Sequence, residues 1–185
     1  MLLDAAVRAF AQDGFYETRI DRVAASAGVA KGTIYHYFPS KAAVFYAALR
    51  DACDLAGDAG LAVPDAGPIG TQLEAFVEGN LAWARTQEAL AVLFARELIG
   101  GRGETRRVIV TALTPCLDKV TEMVRAADER GELYVREAPR TVALKFVELV
   151  NLFLLRASNN DEWPPVDTFA ATVSSLFLYG VAARS

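Results

Sequence analysis

A chain of 185 residues, 53% of them hydrophobic, carries enough apolar material for one large domain or two small ones and too much for a disordered segment. Two cysteines, Cys53 and Cys116, and a single histidine give neither a metal-ligand spacing nor a disulfide framework, so no metal and no cofactor is expected. The net charge of −4 argues against general coating of nucleic acid, but residues 1–50 hold six Lys/Arg against four Asp/Glu while residues 51–185 hold thirteen against nineteen. Any contact with DNA must therefore be local.

Nearly every segment repeats its apolar residues at three to four positions, which predicts an all-α protein of about nine helices. Leu2, Leu3, Ala6, Val7 and Phe10 mark the first helix, and Gly14 stops it. Thr18 with Asp21 has the spacing of a capping box, so a second helix should start there, with Ile20, Val23, Ala24 and Ala27 as its apolar stripe and Gly28 as its end. A third helix runs from about Ala30 to Phe38. Pro39 breaks it, and Ser40 caps a fourth from Lys41 to about Ala56, followed by the glycine- and proline-rich loop "GDAGLAVPDAGP". Helices follow at about 69–87 and 88–99, then a glycine loop, then a helix at about 105–130 that Pro115 should kink or break. Two more, about 139–158 and 165–183, flank the turn "NNDEWPP". The last is uncharged from Thr168 to Ala183, shorter than the roughly 20 residues of a membrane span. The first residues, "MLLDAAVRAFAQDG", lack the form of a secretory signal, and a cytoplasmic location is expected.

Function concentrates in "GVAKGTIYHYFPSK". Two short helices joined by a glycine turn, the second rich in hydrogen-bond donors, form the pattern of a helix-turn-helix. Ile34 and Phe38, with Val29 from the turn, should face the helices behind, leaving Lys31, Gly32, Thr33, His36 and Tyr37 for a duplex. Tyr35 can serve either side. Glycine costs about 0.8–1 kcal/mol in a helix, so Gly32 needs a reason, and close approach to a phosphate or base edge supplies one. Lys31 and Lys41 suit phosphates, Thr33 a base edge or thymine methyl, and the aromatic residues offer both donors and flat apolar faces.

The stretch "DAAVRAFAQDGFYETRIDRVAASAGVAKGTIYHYFPSKAAVFYAAL" resembles the N-terminal domain of the tetracycline-repressor (TetR) family of bacterial transcription regulators. The resemblance implies an all-helical homodimer with a helix-turn-helix DNA-binding domain at residues 1–50, its third helix reading DNA. A larger effector-binding and dimerisation domain follows at residues 51–185. It implies that Thr18 and Lys41 anchor phosphates and that Lys31, Gly32, Thr33, Tyr35, His36 and Tyr37 line the major groove. Three departures stand out. Ala30 replaces a small hydroxyl residue, Ala42 replaces the glutamate after the lysine, and the chain begins almost inside its first helix without a basic lead-in.

Beyond residue 50 the apolar helices suggest a ligand cavity and a self-association surface. Phe76, Trp83, Phe94, Leu117, Val120 and Phe146 are candidate apolar walls, and Asn80, Glu97 and Asn151 candidate polar groups, for a small, partly apolar effector. Phe153, Phe169, Val173, Leu176 and Phe177 are candidates for a four-helix dimer interface built from the last two helices of each subunit. No nucleophile, base and acid set accompanies His36, so an enzyme is not expected. The expected function is a ligand-responsive repressor that binds a palindromic double-stranded operator as a homodimer. The competing reading is a helical interaction module that has lost DNA binding.

Overall fold

The structure, a computed structural model, describes residues 2–61, 63–101, 103–160 and 165–181. The described residues form ten helices and no strand: α1 (Leu2–Glu17), α2 (Ile20–Ala27), α3 (Lys31–Tyr37), α4 (Lys41–Leu61), α5 (Ile69–Thr86), α6 (Glu88–Gly100), α7 (Glu104–Ala112), α8 (Thr114–Glu129), α9 (Pro139–Asn160) and α10 (Val166–Val181). The tenth helix exists because Pro115 breaks the segment rather than bending it. Proline sits in the first turn of α8, where its missing N–H has no intrahelical partner to lose. The glycine-rich stretch after Ala56 starts as helix, and α4 continues to Leu61 before the proline-containing loop begins. Among the described residues no helix is long and apolar enough to cross a membrane.

Two compact units emerge, and they do not split the chain at one point. Unit 1 takes Met1–Leu55 and Gln87–Ala112; unit 2 takes Ala56–Thr86 and Leu113–Ser185. Thus α6 and α7, which follow α5 in the chain, belong with the N-terminal helices. In unit 1, α1 packs against α2 and α6, α2 against α3, and α6 against α7. Phe10 is the centre of that core: its ring lies 4.8 Å from Phe45, edge to face, and 6.2 Å from Phe15. Buried Val23, Ile34, Val44 and Leu49 complete the packing beneath the helix-turn-helix.

The α1 trace breaks at Gly14, whose φ of 79° and ψ of 169° lie where only glycine is comfortable. A Cβ there would also fall 2.7 Å from the Arg96 guanidinium, which donates to the Ala11 carbonyl at 3.3 Å. In unit 2, α10 lies along α5 and α8 along α9. Phe146 of α9 joins them, 5.7 Å from Phe76 and 4.8 Å from Phe177. Glu132 accepts the Ile69 N–H at 2.7 Å, placing a negative charge at the N-terminus of α5, where the helix dipole favours it.

Candidate functional site

The helix-turn-helix is built from α2, its turn and α3. Gly28 takes the left-handed conformation, φ 68° and ψ 28°, and the Val29 N–H reaches back to the Ala24 carbonyl at 3.0 Å. That closes α2 and turns the chain at once into α3. Ala30 precedes α3 without a side-chain cap, as its methyl group requires. Ser40 does cap α4, its Oγ accepting the Ala43 N–H at 3.1 Å.

Only Ile34 of α3 is buried. Lys31, Gly32, Thr33, Tyr35, His36 and Tyr37 are all exposed, with Tyr37 70% open. Tyr35 therefore stands on the solvent side, and so does Val29, which the apolar pattern had assigned to the core. Val29 follows the left-handed Gly28 in the turn and is 36% exposed. Nothing lies within 4 Å of the position a Cβ would take on Gly32, so the chain's own packing does not demand glycine there.

Two cations are preorganised. Lys31 Nζ pairs with Asp21 at 2.8 Å; hydrogen bonding to that carboxylate raises the lysine pKa, and the same bond lowers that of Asp21. Lys41 Nζ donates to the Tyr16 carbonyl at 2.8 Å and lies 5.0 Å from the Phe15 ring centroid. An ammonium has three donors, so neither contact exhausts it. Arg22 of α2 reaches back to Asp13 and Gln12 of α1, clamping the two helices together. Asp21, Asp13 and Arg22 carried no functional signal in the sequence, since their pairing needs residues brought together by the turn.

Thr18 has a different place from the one its spacing suggested. It is 1% exposed, and its hydroxyl faces the Gly14 carbonyl at 2.7 Å and the Ala9 carbonyl at 3.1 Å. No side-chain cap is made on α2, whose flanking residue is Arg19. The capping-box reading fails because the Thr18 hydroxyl is spent on two α1 carbonyls and not on an α2 amide. Thr18 ties the link after α1 back onto α1, and its burial takes the hydroxyl away from the phosphate it was expected to anchor.

The residues picked out for an effector divide. Phe76, Asn80, Trp83, Leu117, Val120, Phe146 and Asn151 are in unit 2, while Glu97 is in unit 1; the side chain of Phe94 lies outside the described residues. Phe76, Val120 and Phe146 are solid core. The Asn80 and Asn151 amides each donate, at 2.8 Å, to the carbonyl four residues earlier on their own helix. Trp83 Nε1 and Ser174 Oγ are buried without a hydrogen-bond partner, a costly state that a bound acceptor would relieve. Ser174 was not legible from sequence, because a serine in an apolar helix announces neither its burial nor its lack of a partner.

The residues picked out for dimerisation divide too. Phe169, Val173 and Phe177 face inward, with Phe169 5.9 Å from the half-buried Phe153, and Phe177 against Phe146. These aromatic contacts within the subunit take the place expected of a partner. Leu176, 54% exposed, is left on the outside, joined by Leu144, Leu152 and Tyr179. Ala171, Thr172, Ser175, Leu176, Tyr179 and Gly180 line a shallow groove along α10. No group of three or more His, Cys, Asp or Glu among the described residues is arranged to hold a metal ion.

Residues 2–48 match the model of the family described as bacterial regulatory proteins, tetR family. The chain is similar to the HTH-type transcriptional regulator RutR of Escherichia coli K12, 27% identical over 133 residues, covering 71% of this chain and 62% of RutR. The match thus spans about three fifths of that relative's length. Among solved structures it is similar in fold to FadR of Bacillus subtilis in complex with stearoyl-CoA, with a TM-score of 0.82 and 20% identity, covering 97% of each chain. AibR, in complex with isovaleryl coenzyme A and operator DNA, has a TM-score of 0.78 and 21% identity, covering 96% of each.

Proposed function

The chain belongs to the TetR family of bacterial regulatory proteins, and from that premise we propose that it is a transcriptional repressor that binds a palindromic operator as a homodimer and leaves it when a small, partly apolar effector binds. The observation that carries the DNA reading is the exposed face of α3, which spends six of seven side-chain positions on solvent while Ile34 alone anchors it. Gly32, which the subunit's own packing does not require, fits close approach to a duplex. Lys31, Gly32, Thr33, Tyr35, His36 and Tyr37 are the groove-facing set, and Lys41 meets a phosphate beside α4. Thr18 is not among them, its hydroxyl being spent on α1.

A homodimer sets two recognition helices about 34–36 Å apart, one turn of duplex. Its interface would use Leu144, Leu152, Leu176 and Tyr179, the exposed apolar residues of α9 and α10, rather than the buried Phe169, Val173 and Phe177. Effector binding in unit 2 would satisfy buried donors such as Trp83 Nε1 and Ser174 Oγ. FadR and AibR were each captured with an acyl-CoA, so acyl-CoA thioesters are the first effectors to screen. An effector that prefers the state with misplaced recognition helices shifts the population away from DNA by its differential affinity.

The test is a salt titration of binding to duplex DNA from the neighbourhood of its own gene, comparing wild type with the double variant Lys31→Ala plus Tyr37→Ala. Specific binding whose log affinity falls linearly with log salt, and which the double variant loses by at least about tenfold, is the expected result. A folded dimer with no specific binding to any of that DNA overturns the reading in favour of an interaction module.

A further inference from the structure

Unit 1 contains a cleft of about 740 Å³ that the DNA-facing surface does not use. Its walls are the broken end of α1, the end of α6 with Gly101, Thr105 of α7 and Tyr46 of α4. That volume falls within the usual range of small-molecule sites. The rings of Phe15, Tyr16 and Tyr46 supply apolar and π-bearing surface, and among the described lining residues three carboxylates, Asp13, Glu17 and Glu97, face one arginine, Arg96.

The charges are not equivalent. Asp13 is tied to Arg22. Arg96 donates to the Ala11 carbonyl and lies against Gly14, so its guanidinium is drawn toward the end of α1. Glu17 stands exposed at the rim. Glu97 is buried and hydrogen-bonded with Thr105, and burial pushes its carboxyl above the usual glutamate range despite the opposing effects of Thr105 and Arg96. A carboxylate held away from water, in a cleft that also presents aromatic rings, is a surrounding that an incoming cation stabilises.

We propose that this cleft binds a small organic cation, an aromatic or alkyl ammonium, with the ammonium on the Glu97 carboxylate and the apolar body against Phe15, Tyr16 and Tyr46. The site is separate from the unit 2 effector residues. Its occupant touches the scaffold of the helix-turn-helix: the Tyr16 carbonyl and Phe15 ring hold Lys41, and Asp13 holds Arg22. That consequence for DNA rests on the repressor reading; the binding site does not.

The experiment uses the full chain labelled with nitrogen-15, titrated with benzylamine and followed by amide chemical shifts, with phenylacetate and benzyl alcohol as anionic and neutral counterparts. Benzylammonium should shift the amides of Phe15, Tyr16, Gly100 and Gly101 and bind more tightly than either counterpart. Glu97→Gln should weaken it about tenfold or more, and Glu17→Gln, at an exposed position that folding tolerates, about two- to threefold. Phenylacetate binding as tightly as the amine, shifts confined to unit 2, or undiminished affinity in Glu17→Gln together with any folded Glu97→Gln overturns the proposal. No DNA enters the measurement, so its failure leaves the repressor reading standing.

Discussion

Seven residues of α3 bury one side chain, whereas α10 buries Phe169, Ala170, Val173, Ser174 and Phe177 and still leaves Leu176 and Tyr179 in solvent. The two helices expose opposite chemistry for different reasons. On α3 the exposed groups are donors that folding does not need, so their identity is free to answer to an outside partner. On α10 the same kind of residue does two jobs, and the packing of α10 along α5 decides which leucine or phenylalanine is core. Adjacent Leu176 and Phe177, at 54% and 4% exposure, mark the divide.

That contrast breaks most sharply at Phe177. Phe177→Ala empties a site beside Phe146 and should cost about 3–5 kcal/mol in chemical denaturation; a loss under about 1 kcal/mol would mean the aromatic cluster of unit 2 is not formed. Ser40→Ala removes the α4 cap and should cost about 1 kcal/mol, with the surface of α3 unchanged. Leu176→Asp should stay within about 0.5 kcal/mol of wild type for the folded subunit yet shift sedimentation from dimer to monomer. An unchanged dimer would place the self-association face elsewhere than on α10.

The smallest effect is a slope with pH. Because burial raises the Glu97 pKa, the folded chain binds more protons than the unfolded one just above the ordinary glutamate value. Stability therefore falls as pH rises from that value through the folded pKa, and levels off beyond it. Glu97→Gln should flatten that part of the urea-midpoint profile, and an unaltered slope would show that another group carries it.

Much of the fold was legible. Gly14 breaks α1, which resumes to Glu17, and Gly28 ends α2, each at positive φ; Ser40 caps because its hydroxyl meets an amide three residues on, and Pro115 interrupts because it has no N–H to give. These are local facts, decided within one turn of chain. The candidate site was legible to the same depth: the polar residues of α3 are exposed because Ile34 alone carries its apolar anchor. Thr18 and Val29 were not, since the break at Gly14 and the turn at Gly28 set their surroundings, and neither was the burial of Glu97, which depends on segments distant in the chain.

Taken by itself, the sequence determined the helical class, most of the element ends and the helix-turn-helix, all of which follow from periodicity, caps and glycine conformation over short stretches. Tertiary structure alone decided that α6 and α7 join the N-terminal unit, that Thr18 spends its hydroxyl on α1, and that Leu176 rather than Phe177 faces outward. Periodicity gives a helix an apolar stripe, but only the neighbour packed against that stripe sets which of its residues remains free to meet another molecule.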